Sequence, residues 1–194
     1  MQNIGKYELV GSANRQVEAI TFDSRKVNDP NTLFVAQRGT HVDGHSFIGK
    51  VIEQGGRMVL CEELPEHIDE QVTFIKVPNS DIALGLLASA FYDFPSQKLH
   101  LVGITGTNGK TTTVTLLYRL FNGMGYPTGL LSTIENRIVN EVIPTTHTTP
   151  DAIVLNELLH RMVEAGCQYC FMEVSSIGIE QERGNLISQV AEVE

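Results

Sequence analysis

The chain has 194 residues, of which 42% are hydrophobic and 19% charged, a composition typical of soluble globular proteins that bury a core. Its formal net charge of −9 disfavours a nucleic-acid-binding function, because such surfaces need clustered Lys and Arg. The N-terminus lacks the apolar core of a signal peptide, and no apolar run approaches the roughly 20 residues that span a bilayer. We therefore expect a cytoplasmic protein without membrane insertion.

Strands and helices alternate in the first half of the chain. The apolar segments 33–36, 58–61 and 73–77 are predicted strands, and residues 47–54 are a predicted connecting helix. Residues 81–92 repeat apolar side chains at helical spacing, with Ser80 or Asp81 available as N-cap, which predicts a buried helix. This order indicates a small α/β domain.

A domain boundary is predicted at residues 93–96. Pro95 cannot continue the preceding helix and favours an extended conformation in the residue before it. A chain of this length is expected to form one or two domains. We predict two, comprising residues 1–95 and 96–194.

The second half has the order strand, Gly-rich turn, helix, strand, which is typical of a parallel sheet. Strands are predicted at residues 100–105, 128–131 and 169–174, and helices at residues 110–122 and 151–165. Residues 185–194 are expected to form a strand fragment or a frayed tail.

Two of the three cysteines, Cys167 and Cys170, have the spacing of a redox centre or of half a zinc site. No second pair and no His cluster follows them. We interpret both, and Cys61, as buried or half-buried thiols.

A glycine-rich loop joins the predicted strand at 100–105 to the helix at 110–122. Its glycines let several backbone N–H groups converge on phosphate oxygens, and the helix N-terminus adds about half a positive charge. Lys110 supplies a charge for the β- and γ-phosphates, and the Thr111 hydroxyl suits the accompanying Mg²⁺. The predicted ATP-binding residues are Gly106, Thr107, Asn108, Gly109, Lys110, Thr111 and Thr112.

This loop departs from the strict G-x-x-x-x-G-K-T spacing, because Ile104 occupies the position of the first glycine. A tight glycine turn that binds nothing is the alternative interpretation. That alternative does not explain the Lys-Thr-Thr run at the start of the helix.

The segment TGTNGKTT at residues 105–112 resembles the ATP loop of the Mur ligases, which attach amino acids to the peptidoglycan precursor. Three further regions resemble segments of the same family and follow the same order along the chain. They are residues 22–26 together with 33–36 and 39–44, residues 147–151, and residues 173–176. The resemblance runs from residue 21 to residue 183 and is greatest to the branch that adds the third residue of the peptide.

In the first domain, the resemblance implies a uridine nucleotide site. The residues implied are Phe22, Ser24, Thr40, His41 and Val42. Ser24 stands beside an Asp and can instead cap a turn. His41 and His45 can instead be ordinary histidines of a surface loop.

In the second domain, the resemblance implies contacts to the muramoyl-dipeptide part of the substrate. The residues implied are His147, Thr148, Thr149, Ser175, Gln181 and Arg183. Their hydroxyls and guanidinium suit sugar, phosphate and carboxylate groups. Thr148 and Thr149 can instead cap the helix that starts near Pro150.

Two residues are implied as catalytic, Lys110 and Glu173, and two as Mg²⁺ ligands, Thr111 and Glu173. Glu173 lies at the end of a predicted buried strand. A strand-end Glu without a function is the alternative.

The resemblance implies an ATP-dependent ligase that converts the D-glutamyl carboxylate of UDP-N-acetylmuramoyl-L-alanyl-D-glutamate to an acyl phosphate. The acyl phosphate would then react with meso-diaminopimelate or lysine. Ile177 stands where the family usually has a His, and the sequence departs from the family pattern after residue 183. We therefore expect a truncated chain that binds nucleotides and does not complete the reaction. We expect it to bind the amino-acid substrate only if a C-terminal domain is supplied. The alternatives are a noncatalytic nucleotide-binding module derived from the ligase, and an unrelated kinase with the same loop.

Overall fold

A computed structural model of the chain describes residues 5–39, 42–144 and 150–174, together with the main chain of residues 189–192. The chain divides into two compact units, Met1–Leu87 and Ala88–Glu194. Each unit contains one β-sheet and at least one helix, which confirms the predicted α/β class. The boundary after residue 95 stays a prediction. None of the helices that the structure describes is long and apolar enough to cross a membrane.

The first unit is built on a five-stranded sheet. Its strands are β1 (Glu8–Val10), β2 (Ala19–Thr21), β3 (Thr32–Val35), β4 (Met58–Cys61) and β5 (Thr73–Lys76). Its helices are α1 (Ile48–Glu53) and the first two turns of α2 (Ser80–Phe91), whose last residues belong to the second unit. The strand order is β1-β5-β4-β3-β2, with β2 to β5 parallel and β1 antiparallel to β5. Every residue of β3 and β4 is buried, as expected for parallel strands covered on both faces.

One face of this sheet packs against α1. Phe34, Val59 and Phe74, from three adjacent strands, share a core cluster with Ile48 and Val51 of the helix. All five are nearly inaccessible to solvent, and burial of each such side chain contributes about 1.5–3 kcal/mol. This packing fixes the parallel strands, and therefore the loops that leave their carboxyl ends.

The second unit contains a six-stranded mixed sheet. Its strands are β6 (His100–Thr105), β7 (Thr128–Leu131), β8 (Asn136–Ile138), β9 (Glu141–Ile143), β10 (Tyr169–Glu173) and β11 (Gln189–Glu192), and its helices are α3 (Lys110–Gly123) and α4 (Ala152–Glu164). The order is β11-β6-β10-β7-β8-β9, in which the first four strands are parallel. The sequence did not predict β8 and β9, which extend the sheet as an antiparallel hairpin.

The second sheet lies between two helices. On one face, Val114 and Tyr118 of α3 pack with Leu130 of β7 and Phe171 of β10. On the other face, α4 packs with the alternate strand residues; this cluster includes Leu101, Leu131, Leu155, Leu159 and Met162. Because strand side chains alternate between faces, β6 and β10 are covered on both sides and only their ends remain accessible.

Candidate functional site

The predicted phosphate loop connects β6 to α3. Gly106 and Gly109 have φ values of +141° and +81°, a region that favours glycine, and Gly109 is the N-cap of α3. The Lys110 ammonium donates a hydrogen bond to the Gly106 carbonyl oxygen at 2.6 Å. Lys110 thus closes the loop on itself, and the loop leads into the first turn of α3, whose N–H groups have no partner within the helix.

The exposure of the loop leaves these groups accessible to a ligand. Thr107, Asn108 and Thr112 are exposed, whereas Lys110 and Thr111 are half-buried. The first turn of α3 contains no acidic residue that would repel an anion. The geometry therefore suits a polyphosphate, since backbone donors, a helix N-terminus and one lysine converge there.

Glu173, predicted to act as a catalytic residue and a metal ligand, is the last residue of β10. One of its oxygens, Oε1, accepts a hydrogen bond from the Thr133 backbone N–H at 3.1 Å and from the Thr133 hydroxyl at 3.3 Å. Thr133 follows β7, the strand parallel to β10 on its other side. The sequence reasoning missed Thr133; the available signal was a Ser-Thr pair placed directly after a buried strand.

The sheet register brings Glu173 beside the phosphate loop. Glu173 is paired with Ile104 of β6, and the Val174 N–H donates to the Ile104 carbonyl oxygen at 2.9 Å. The loop begins two residues later, at Gly106. The carboxyl ends of two adjacent parallel strands therefore present the lysine loop and the carboxylate together, the position where open α/β sheets bind ligands.

In the first unit, three residues implied in uridine binding lie at the carboxyl edge of the sheet. Phe22 and Ser24 follow β2, and Val42 lies in the turn after the adjacent strand β3. Phe22 and Val42 are 40% and 56% exposed, whereas Ser24 is 8% exposed. An exposed aromatic ring beside a small buried hydroxyl residue suits a planar heterocycle.

The segment around Ser24 forms a 3-10 turn, Ser24–Lys26, which Asp23 caps by accepting a hydrogen bond from the Arg25 N–H at 3.0 Å. The Arg25 side chain also binds the Asp23 carboxylate at 2.9 and 2.8 Å and lowers its pKa to about 2. The cap of this turn is therefore Asp23, which weakens the alternative that Ser24 serves as the cap.

Several predicted site residues lie outside the described residues. They are Thr40, His41, His147, Thr148, Thr149, Ser175, Gln181 and Arg183, and Ile177 lies outside them as well. Near this region, the helix α4 has Asp151 as its N-cap, whose carboxylate accepts from the N–H groups of Ile153 and Val154 at 2.9 Å. A capping role for Thr148 or Thr149 is therefore not needed.

The cysteines form no site in the described part of the chain. Cys61, Cys167 and Cys170 are free and buried. Burial raises the pKa of the Cys61 thiol to about 11 and that of Cys170 further still, so both stay protonated at neutral pH. Among the described ranges, no group of three His, Cys, Asp or Glu side chains comes together as a metal site.

Two family models match consecutive parts of the chain. The model described as Mur ligase family, catalytic domain, matches residues 16–92, and the Mur ligase middle domain matches residues 104–192. The chain also resembles curated proteins named UDP-N-acetylmuramoyl-L-alanyl-D-glutamate–2,6-diaminopimelate ligase. It is 60% identical over 184 residues to that of Cytophaga hutchinsonii and 53% identical over 176 residues to that of Phocaeicola vulgatus.

These alignments cover 93% and 91% of the chain but 38% and 36% of the two relatives. The chain therefore spans little more than a third of the length of the curated relatives it matches.

Two solved structures of ligases also resemble the fold of this chain. A structure of UDP-N-acetylmuramoyl-L-alanyl-D-glutamate–2,6-diaminopimelate ligase aligns with a TM-score of 0.71 and 26% identity, over 87% of this chain and 34% of that chain. MurF from Thermotoga maritima in complex with ADP has a similar fold, with a TM-score of 0.55 and 19% identity over 92% of this chain and 38% of that chain. From the two consecutive family matches and the close relatives, this chain belongs to the Mur ligase family.

Proposed function

We propose that this protein is an ATP-dependent ligase of the MurE type. In this proposal, the first unit binds UDP-N-acetylmuramoyl-L-alanyl-D-glutamate by its uridine end, and the second unit binds ATP. The observation that carries it is that the loop containing Lys110 follows β6 while Glu173 ends the adjacent parallel strand β10, paired with Ile104. The names of the curated relatives support this substrate and 2,6-diaminopimelate as the amine. A cytoplasmic location belongs to the same proposal.

The reaction must activate a carboxylate, which is a poor electrophile. Transfer of the γ-phosphoryl group of ATP to a carboxylate oxygen gives ADP and an acyl phosphate. The amine of the second substrate then attacks the carbonyl carbon, the amide bond forms, the bond to the phosphate oxygen breaks and the amine loses a proton. The loop N–H groups and Lys110 hold the β- and γ-phosphates and balance the charge that develops during phosphoryl transfer.

The residues at this edge suit Mg²⁺ as the companion of ATP. Glu173 supplies a carboxylate and Thr111 a hydroxyl, the oxygen donors that Mg²⁺ prefers. Among the described residues, the contacts of the Glu173 carboxylate come from Thr133, and none comes from a Lys or Arg. Its negative charge is therefore available to a cation, which would neutralise the phosphates.

The remaining substrate contacts stay proposals based on the family resemblance. In the first unit they are Phe22, Ser24, Thr40, His41 and Val42. In the second unit they are His147, Thr148, Thr149, Ser175, Gln181 and Arg183.

Calorimetric titration of the purified chain with UDP-N-acetylmuramoyl-L-alanyl-D-glutamate tests the first unit. We expect saturable binding, and we expect Phe22→Ala to weaken it at least fivefold, because base stacking on an aromatic ring is worth about 1–3 kcal/mol. Phe91→Ala is the matched control, since Phe91 is also 40% exposed but lies on α2. Equal affinity of the two variants would contradict the proposed uridine site.

The same titrations distinguish the ligase from a noncatalytic module. A ligase requires that the chain also bind MgATP at the phosphate loop. Binding of the UDP-linked substrate without any binding of MgATP would favour the module and overturn the ligase proposal.

A further inference from the structure

The turn between β7 and β8 is fixed by hydrogen bonds within itself. The Ser132 hydroxyl oxygen accepts from the N–H groups of Glu135 and Ile134 at 3.1 and 3.3 Å, and the hydroxyl donates to the Glu135 carbonyl oxygen at 2.7 Å. The Ser132 N–H donates to Asn136 Oδ1 at 3.3 Å. Ser132 and Asn136 are 8% and 7% exposed. The main chain of Thr133, which lies between them, is therefore held by buried neighbours.

The hairpin that follows this turn is anchored to the helix of the phosphate loop. β8 and β9 pair as antiparallel strands, and the Tyr118 hydroxyl of α3 donates to the Val139 carbonyl oxygen in the bend between them. The Arg137 guanidinium lies 5.9 Å from the centre of the Tyr118 ring and binds the Glu135 carboxylate at 2.7 and 2.9 Å. These contacts tie the turn to the helix into which the phosphate loop leads.

The two oxygens of the Glu173 carboxylate have different surroundings. Oε1 accepts from the Thr133 N–H at 3.1 Å and lies 3.3 Å from the Thr133 hydroxyl. Oε2 lies farther from the same hydroxyl, at 3.5 Å, which is the limit of a hydrogen bond. A carboxylate oxygen has about two lone-pair sites, so the two Thr133 donors occupy Oε1. Oε2 is the oxygen that remains for a cation.

We propose that Thr133 is a positioning residue that makes the cation site prefer Mg²⁺ to Ca²⁺, because it restricts Glu173 to one coordinating oxygen. This inference rests on the proposed function, in which Glu173 binds the cation that accompanies ATP. Thr133 acts through the orientation of the Glu173 carboxylate and makes no contact of its own with the nucleotide.

The two cations differ in what they require of a carboxylate. Mg²⁺ takes about six ligands in near-ideal octahedral geometry and keeps several of its waters, so one oxygen from Glu173 is enough. Ca²⁺ takes about six to eight oxygens at longer distances and often uses both oxygens of one carboxylate. With Oε1 held by Thr133, Ca²⁺ obtains the second oxygen only by breaking those hydrogen bonds. The number of oxygens that Glu173 offers therefore favours Mg²⁺.

The test measures the affinity of the purified chain for ATP by calorimetry, with saturating MgCl₂, with saturating CaCl₂ and with a chelator. Three chains are compared: the wild type, Thr133→Val and Thr133→Ser. Valine keeps the shape and the backbone N–H but removes the hydroxyl, whereas serine keeps both donors.

In the wild type we expect MgATP to bind at least about fivefold more tightly than CaATP. In Thr133→Val this ratio should fall about threefold or more, because Oε1 loses one of its two donors and becomes available to Ca²⁺. In Thr133→Ser the ratio should stay within about twofold of the wild-type value, because the hydroxyl is kept.

The ratio is a readout that a purely structural role would not change, because a loosened fold weakens both complexes alike. Thr115→Val is the matched control, since Thr115 lies beyond the first turn of α3, and its ratio should equal that of the wild type. Ser132→Ala loosens the turn without changing Thr133 and should also lower the ratio. This second variant keeps the test available if Thr133→Val does not fold.

The outcomes separate the two proposals. If the wild type does not bind ATP, or binds it no more tightly with Mg²⁺ than with the chelator, the proposed ATP and Mg²⁺ site fails and this inference fails with it. If the wild type binds MgATP and CaATP equally well, the selectivity is overturned while the proposed function stands. If Thr133→Val keeps the wild-type ratio, or if Thr133→Ser loses it, the role of Thr133 is overturned and the proposed function again stands.

Discussion

The packing of α4 against β7 leads to a prediction with a magnitude set by the structure. Gly129 of β7 is paired with Cys170 of β10 and faces Met162 of α4, which is fully buried. A Cβ atom on Gly129 would lie 2.3 Å from Met162 Sδ and 2.7 Å from Cε, against an ordinary contact of roughly 3.5–4.0 Å. Gly129→Ala therefore forces Met162 to move by about 1 Å or more into a filled core.

Overpacking of this kind costs about 1–3 kcal/mol, which lowers the melting temperature of a domain of about 100 residues by roughly 5–20 °C. Thermal unfolding followed by far-ultraviolet circular dichroism measures the effect. Gly123→Ala is the matched control: no atom lies within 4 Å of its added Cβ, and alanine favours the helix there. In the double variant with Met162→Ala, the loss of unfolding free energy should be smaller than the sum of the losses in the two single variants by about 1 kcal/mol or more, because the shortened side chain leaves room for the added methyl group.

A melting temperature of Gly129→Ala within about 1 °C of the wild type would refute this reasoning. Strict additivity in the double variant would refute it as well. Either result would mean that Gly129 and Met162 are not packed as closely as described.

Three further predictions concern the sites. Thr133→Val removes the hydroxyl that contacts Glu173 but keeps the N–H donor, so affinity for MgATP, measured by calorimetry, should fall only about two- to fivefold. The Asp23 carboxyl should titrate near pH 2 when followed by NMR, and Arg25→Ala should return its pKa toward 3.8. Because the pKa is lower in the folded state than in the unfolded chain, the ionised carboxylate stabilises the fold above pH 3.8. This stabilisation is lost as the pH falls toward 2. Cys170 should resist alkylation at pH 8 in the native protein and react on unfolding in urea, because burial raises its pKa and excludes the reagent.

The central strands were predictable because each is a continuous buried apolar run between polar or glycine-rich segments. β4, β6 and β7 begin and end at the predicted residues. The missed strands β1, β2, β8 and β9 have three residues each, too few for a periodic signal. Their existence depends on partners elsewhere, as in the pairing of Glu8 with Lys76. The β8–β9 turn also gives no sequence signal, because Val139 adopts a φ of +53° where Asn or Gly is usual.

The cap of α2 shows how tertiary contacts override local preference. The sequence offers three adjacent capping residues, and the prediction named Ser80 or Asp81. In the structure Asn79 is the capping side chain, accepting from the Ile82 N–H at 2.9 Å. Ser80 instead donates to Glu62, the residue that follows β4, a contact between residues 18 positions apart. No local rule ranks these candidates, since the choice depends on where β4 ends.

The part of the site that lies in one continuous segment was predictable, whereas the part that depends on contacts between distant residues was not. The phosphate loop is one continuous segment whose glycines, lysine and helix start all appear in the sequence, and the structure shows the positive φ values they imply. The contact of Thr133 with Glu173 joins residues 40 positions apart in sequence. It depends on which strands are neighbours, which the pattern of apolar residues does not specify.

The most direct test of the central claim is calorimetric titration of the chain with MgATP. The account predicts one saturable site, and it predicts that Lys110→Ala weakens binding at least tenfold, because a charged contact to phosphate is worth about 1.5–3 kcal/mol. Lys50→Ala, at an exposed position on α1, is the control and should leave the affinity unchanged. Absence of MgATP binding by the wild type, or equal affinity of Lys110→Ala and the wild type, would contradict the assignment of the loop.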